Sequence, residues 1–359
     1  MPELVLNGIS KRYGNVRALD NVSLRIQDGD FAIIVGPSGS GKTTLLHVIA
    51  GFVKPDEGEV VVDGTPFNRL LPRERNIGMV FQDIALFSHM SVRKNLSFGL
   101  EIKKGKKKDI DARVQDIADT LRIRKLLNKK PRLLSGGEAQ RVAIGRALIT
   151  NPSFFLFDEP MGNLDANLRM EMLTELKKLH MELRKTFIYV THDQEQTLAA
   201  ATKVIIMKDG RVMQEGRPGE IYANPSSKFV AEFFGISAMN LIDGRIEKAQ
   251  GGPVFRGAGI TLPLRASGRF MDAAVTLGVR PEAVSIGDED YLQNGVGTVN
   301  MVELLGDENH ISLTLQQEKR ITAITKPKVR PRIGEKMGIG LREDRVLLFD
   351  AEHGGRLQL

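Results

Sequence analysis

Three short stretches of this chain combine residue types and spacings that can do phosphate chemistry. The first, Gly36-Pro37-Ser38-Gly39-Ser40-Gly41-Lys42-Thr43, matches G-x-x-x-x-G-K-[ST]. Glycines let the backbone curl until successive N–H groups point inward at phosphate oxygens, and a helix that follows presents its positive N-terminal end to the same anion. In such a loop Lys42 reaches the β and γ phosphates, the Thr43 hydroxyl can ligate Mg²⁺, and Thr44 is placed for a further phosphate contact. A flexible turn can match this pattern by chance, but here the loop lies between an apolar run and a helical pattern, the context the motif requires. The spacing does not give G-x-G-x-x-G, so a dinucleotide-binding fold is disfavoured.

The second stretch is the apolar run Phe154-Phe155-Leu156-Phe157 ending in Asp158 and Glu159. Asp158 suits the second carboxylate near Mg²⁺ in phosphate-loop enzymes, and Glu159 suits a general base on an attacking water. Adjacent residues on extended chain point to different sides, so one can face metal while the other faces water. Taken alone, two acids after a strand can equally open a solvated loop. Gln82 and His192 carry still less by themselves, since a lone histidine at a strand end is more often structural than catalytic.

The elements that must position these residues give them weight. Apolar runs at 31–35, 77–81, 154–157 and 187–190 read as buried strands of a parallel sheet. Helical patterns at 42–50, 92–100, 110–121, 135–149, 166–183 and 194–201 lie between or after them, and shorter alternating strands at 4–9 and 22–26 open the chain. Strand and helix alternating in this way predicts an α/β layer fold. The four strands lead into the phosphate loop, Gln82, Asp158-Glu159 and His192, and ligands bind outside the carboxyl ends of strands in such sheets. One site can thus collect all four groups.

The third stretch is Leu134-Ser135-Gly136-Gly137-Glu138-Ala139-Gln140, ahead of a clean helical pattern. Ser135 and Glu138 form an S-x-x-E capping box, which accounts for those two residues but not for the glycines between them. Glycines there would let a phosphate approach the N–H groups of the helix start. The run resembles the signature of ATP-binding-cassette (ABC) proteins, usually written LSGGQ, and it lies ahead of the acidic pair as in that family. The resemblance implies that the signature of one cassette faces the phosphate loop of another, with ATP between them and Ser135 and Gly137 touching its γ-phosphate. Tyr13 resembles the aromatic that stacks on adenine. Gln82 resembles the Q-loop glutamine that senses Mg²⁺ and the attacking water. Asn163-Leu164-Asp165 resembles the D-loop between cassettes, and His192 the switch histidine at the γ-phosphate. Two positions depart from the usual pattern: Glu138 stands where Gln is common, and Met161-Gly162 where related importers often carry Leu-Ser.

From about residue 240 the texture changes to short apolar runs, at 274–279, 299–304, 311–315 and 346–349, separated by Gly and Pro. The expectation is therefore an ABC cassette over 1–238, its helical subdomain at about 88–150, followed by an all-β domain over 239–359. Phe229-Val230-Ala231-Glu232-Phe233-Phe234-Gly235, Gly278-Val279-Arg280-Pro281-Glu282 and Val302-Glu303-Leu304-Leu305-Gly306 resemble marks of the sugar-importer ATPases and their OB-like regulatory domain.

Composition limits the alternatives. The 359 residues include no cysteine, which excludes disulfides, thiolate metal sites and cysteine nucleophiles. Met1-Pro2-Glu3-Leu4 is not expected to begin a signal peptide, and no apolar stretch approaches the roughly 18 residues a membrane helix needs. The net charge is +7, with a dense run at Lys103, Lys104, Lys106, Lys107 and Lys108. That run reads as a solvated loop before a helix, or alternatively as a contact for anionic lipid; no aromatics interleave it, so a stacking groove for nucleic acid is not expected. The resemblance implies a homodimeric ATPase using ATP and Mg²⁺, peripheral on the cytoplasmic face of the membrane. Its implied partners are two transmembrane subunits, docked at 83–91, and indirectly an extracytoplasmic solute-binding protein. Sugars are the expected cargo, with sulfate, polyamines, iron or glycerol phosphate as alternatives. A non-transport ABC ATPase of DNA or translation is disfavoured by the short 82–135 stretch, the missing cysteines and the single cassette.

Overall fold

The computed structural model describes residues 3–162, 164–194, 199–264, 270–287 and 294–358. The chain divides into two compact units, Met1–Gly219 and Glu220–Leu359.

The first unit is built on a six-stranded sheet. β3 (Phe31–Val35), β6 (Ile77–Val80), β7 (Phe154–Asp158) and β8 (Thr186–Thr191) are the four strands read from the sequence. They are joined by β9 (Lys203–Lys208) and β10 (Arg211–Gly216), in the order β10-β9-β3-β8-β7-β6. All pairs are parallel except β10 with β9. The alternation of side chains across the sheet is legible residue by residue. Phe31, Ile33, Phe155, Phe157, Phe187 and Tyr189 enter one apolar cluster, whereas Ala32, Ile34, Phe154, Leu156, Ile188 and Val190 enter another. Both faces are covered, which is why these strands read as continuous apolar runs.

On one face lies α1 (Lys42–Ala50) with the antiparallel sheet of β1 (Leu4–Tyr13), β2 (Val16–Ile26), β4 (Glu57–Val62) and β5 (Thr65–Pro66). On the other lie α2 (Val92–Ile102), α3 (Lys107–Thr120), α4 (Gly136–Leu148) and α5 (Ala166–Leu183). Helices α2, α3 and α4 pack through Leu96, Ile117 and Gly145; a Cβ on Gly145 would come within 2.9 Å of Leu96. The expected helix at 194–201 falls largely outside the described residues.

Two differences from the sequence reading have simple causes. β9 carries a buried Val-Ile-Ile-Met run but ends in an ordinary Asp209-Gly210 turn, so it shows no chemistry to draw the eye. The lysine run is not all loop: Lys107 and Lys108 form the first turn of α3, where Asp109 supplies the acidic residue that suits a helix start.

The second unit begins with α6 (Pro218–Ala223), which straddles the division, and α7 (Lys228–Phe233). The rest is antiparallel strand. One sheet has the order β13-β12-β11-β14-β20-β21, from β11 (Asn240–Ala249), β12 (Gly252–Gly257), β13 (Ile260–Pro263), β14 (Ala274–Val279), β20 (Val346–Asp350) and β21 (Arg356–Leu357). The other runs β15-β19-β16-β17-β18, from β15 (Val284–Gly287), β16 (Gly295–Leu304), β17 (Asn309–Thr314), β18 (Arg320–Thr325) and β19 (Lys336–Leu341). Both sheets feed one apolar cluster that includes Phe255, Leu277, Leu313 and Ile339. The Arg280 of the Gly278–Glu282 stretch is buried, stacks on Tyr222 with 4.0 Å from its guanidinium carbon to the ring centre, and donates to the carbonyls of Tyr222 and Ala231. Burial and the Glu282 carboxylate push the Tyr222 hydroxyl up to about 12.

Candidate nucleotide site at the sheet edge

The site is assembled at the carboxyl ends of β3, β6, β7 and β8. Gly36 to Gly41 wrap from the end of β3 into α1, whose N-cap is Gly41 in the left-handed region with no side-chain cap. A Cβ on Gly41 would lie 2.4 Å from the Ala18 carbonyl, and one on Gly36 would lie 2.2 Å from the Met207 carbonyl. Both glycines are therefore required by packing, and Gly41 by its φ of 97° as well. Pro37 is partly exposed, Ser38 and Gly39 are exposed, and Ser40 is buried with its Oγ unbonded.

Lys42 is buried and folds back over its own loop, donating to the carbonyls of Gly36 at 2.9 Å and Pro37 at 3.0 Å. Burial lowers its ammonium below the ordinary lysine value, against the opposing pull of Glu159 and Asp158. Thr43 donates through Oγ1 to Asp158 Oδ1 at 3.0 Å, and Thr44 stands beside it in the first turn of α1. Asp158 is buried, which raises its carboxyl above the usual range, while the Thr43 bond, His47 and Lys42 offset part of that rise. His47, one turn further along α1, lies 3.6 Å from Asp158 Oδ2. The one carboxylate and one hydroxyl brought together here suit Mg²⁺, which takes few protein ligands and keeps phosphate and water oxygens for the rest.

Glu159 continues beyond β7 with its N–H on the Val190 carbonyl and a φ of 43°, a region non-glycine residues rarely occupy. Such strain persists only where surrounding structure imposes it, and it gathers at functional sites. Its Oε2 lies 3.1 Å from His192 Nδ1. Gln82 follows β6; its Nε2 lies 3.8 Å from where a Cβ on Gly162 would stand, and the Gly162 N–H donates to the Glu159 carbonyl. Phosphate loop, acidic pair, glutamine and histidine thus share one edge.

The signature residues sit elsewhere. Ser135 caps α4, accepting from the Glu138 N–H at 3.3 Å, while Glu138 accepts from the Ser135 N–H at 2.8 Å. A Cβ on Gly136 would meet Leu164 at 3.2 Å, and one on Gly137 would meet Leu168 at 3.3 Å. The signature therefore packs on the start of α5 and not on the phosphate loop of its own chain. Asp165 is the N-cap of α5 and accepts from the Leu168 N–H at 3.0 Å. Asn163 of the same segment lies outside the described residues. Tyr13 is half exposed at the β1–β2 turn, with Lys11 above its ring.

Sequence reasoning missed the residues that support this edge. Arg146 of α4 donates to the carbonyls of Ala85 and Ile84, and Asn95 of α2 clamps Phe87 at both its N–H and its carbonyl. The segment after Gln82 is thereby held to two helices. Arg169 of α5 donates to Asp193 and to the Leu164 carbonyl. These are single residues within helical patterns, and no local spacing marks them out.

Comparison with known proteins agrees with this geometry. The ABC transporter family model matches residues 19–162, and the TOBE domain model matches 277–349. The xylose/arabinose import ATP-binding protein of Haloferax volcanii is 41% identical over 371 residues, covering 100% of this chain and 96% of that protein. The sn-glycerol-3-phosphate import ATP-binding protein of Escherichia coli O157:H7 is 39% identical over 360 residues, covering 99% and 100%. Among solved structures, a dimeric bacterial ABC transporter cassette is 36% identical with a TM-score of 0.54, covering 60% of this chain and 98% of its own. The cbiO1 subunit of Clostridium perfringens, part of the ABC transporter complex cbiONQ, is 32% identical with a TM-score of 0.58, covering 62% and 90%.

Proposed function

The chain belongs to the ATP-binding proteins of ABC transporters, and from that premise we propose that two copies of it form the ATPase of a solute importer, with sugars as cargo. The observation that carries this reading is the single sheet edge where Thr43 meets Asp158 and Glu159 meets His192. The relatives named for import of pentoses and of glycerol phosphate support the direction of transport and the class of cargo.

In this reading the uncapped start of α1 and the loop N–H groups take the ATP phosphates, and Lys42 turns from its own carbonyls to the β and γ phosphates. Thr43 and Asp158, with Gln82 beside them, would hold Mg²⁺, which when bound would supply neutralisation of developing phosphate charge. Glu159 takes the proton of the attacking water, and His192 holds the γ-phosphate. Tyr13 stacks on adenine. Positioning and electrostatics supply most of the rate, because phosphoryl transfer needs little covalent help from protein.

Ser135, Gly136, Gly137 and Glu138 lie away from their own phosphate loop, so a second copy supplies them to complete each site. A related cassette solved as a dimer, and again as a post-hydrolysis dimer with ADP and phosphate, supports that arrangement. No helix among the described residues is long and apolar enough to cross a membrane. Transmembrane partners then receive the motion, with 83–91 as the docking segment, and an external binding protein delivers solute.

The test is Glu159→Gln. The expected result is a loss of turnover of about 10²–10⁴-fold with a stable ATP-bound dimer by light scattering. Wild-type turnover would remove Glu159 as the base.

A further inference from the structure

Leu164, against which Gly136 of the signature packs, and Asp193, the neighbour of His192, lie on two separate segments. Arg169 stands between them. It lies one turn inside α5, and its guanidinium forks in two directions. Nη2 donates to the Leu164 carbonyl at 2.9 Å, just before the N-cap Asp165, and Nη1 donates to Asp193 Oδ2 at 3.2 Å, just after His192. The turn carrying Asp193 is itself fixed, its N–H donating to Thr191 Oγ1 at 3.0 Å. Arg169 and Asp193 are each about three-quarters buried, so solvent screens this pair less than a surface bridge. A cavity of about 20 Å³ is lined by Glu159, Arg169, Tyr189, Thr191, His192 and Asp193, so the guanidinium borders the space beside both acid and histidine.

The chemistry of the fork matters. A guanidinium is planar and can hold two acceptors on different segments at once, whereas an ammonium is a point charge on a flexible stem. The Arg169 Nε is buried and unbonded, so the group is held in place by those two bonds and not by a full set of partners. If it served only to anchor the start of α5, the Leu164 carbonyl would suffice. The second bond crosses from α5 to the turn after β8, and it ends on the neighbour of the histidine that contacts Glu159.

We propose that Arg169 is a positioning residue for hydrolysis: its fork ties Leu164–Asp165, the segment against which the signature packs, to the Asp193 turn, and so holds His192 in place beside Glu159. The proposal rests on the dimeric ATPase reading above. It assigns Arg169 no contact with nucleotide. It therefore separates assembly and ATP binding, which persist without the fork, from turnover, which does not.

The full chain tests it through steady-state hydrolysis and light scattering. Arg169→Gln should lower kcat about 10–100-fold, the scale of a lost charged hydrogen bond expressed as rate, with KM for ATP within about twofold of wild type. Arg169→Lys, which keeps charge and stem, should recover less than half of that loss. Asp193→Asn should reproduce the loss, and the double variant should be no worse than the poorer single variant, because both break one link. ATP should still drive dimerisation of the Glu159→Gln/Arg169→Gln chain. Wild-type kcat in Arg169→Gln, additive losses in the double variant, or a parallel rise in KM would each overturn the proposal. Should Arg169→Gln fail to fold, Arg169→Lys and Asp193→Asn decide the matter by the same readouts. His192→Ala separates the two levels: activity unchanged there sinks the site reading itself, whereas activity lost there but kept in the Arg169 variants sinks this inference alone.

Discussion

Two helices of the cassette start behind glycine-rich sequence, and they solve the start in opposite ways. α1 begins at Gly41, with φ near 97° and no side-chain cap on its first turn. α4 begins at Ser135, extended, with Ser135 and Glu138 closing a reciprocal capping box. A helix start leaves its first N–H groups without intrahelical partners. At α1 they stay available to an anion, and the nearby cation, Lys42, is held on weak acceptors it can leave. At α4 two of them are already satisfied, and what stays open is the stretch over Gly136 and Gly137. In the proposed reading the first helix holds a phosphate by itself. In the same reading the second is a capped, rigid surface that approaches a phosphate held on the opposite copy.

The glycines sharpen the contrast. Gly36 and Gly41 of the phosphate loop are closed in by backbone carbonyls, while Gly136 and Gly137 of the signature face the tips of Leu164 and Leu168, which can yield. Gly41→Ala should therefore be the most damaging to the fold. It adds strain at a positive φ and a clash with the Ala18 carbonyl, together about 3 kcal/mol or more, read as a large drop in Tm and in urea midpoint. Ser135→Ala removes one cap and should cost about 1 kcal/mol, measured by the same denaturation. Gly137→Ala should be smallest in stability, under about 1 kcal/mol, because better helix propensity offsets the press on Leu168. Its hydrolysis should nonetheless fall, by about tenfold, if the Gly137 N–H serves a phosphate on the partner copy. A Gly137→Ala chain as unstable as Gly41→Ala would erase the distinction between the two helix starts.

Legibility in the sequence followed the same divide between local and distant causes. The four strands that carry chemistry were readable because both their faces are buried, which leaves an unbroken apolar run. β16 was half readable: its Gly295–Leu304 stretch alternates buried and exposed residues and ends largely exposed, so the apolar signal covers only part of it. The second unit showed four apolar runs in sequence, yet its two antiparallel sheets use eleven strands among the described residues, several of them short. In the site, the phosphate loop and the capping box were local patterns and were found. His47, Arg146, Arg169 and Asp193 were not, because each acts on a partner far along the chain or inside an unremarkable helix.

The phosphate loop, the acidic pair, the capped signature helix and their order can be read along the chain. Each depends on residues a few positions apart, where chain geometry leaves little choice. Which of them meet depends on packing between distant segments. Thr43 finds Asp158 across 115 positions because α1 and β7 stack on adjacent parts of the sheet. Glu159 finds His192 because β7 and β8 pair with Asp158 opposite Val190, a register that places the two following turns side by side. A slip of one residue there would turn every side chain of the strand to the wrong face, so packing on both faces of the sheet holds that register and, with it, the site.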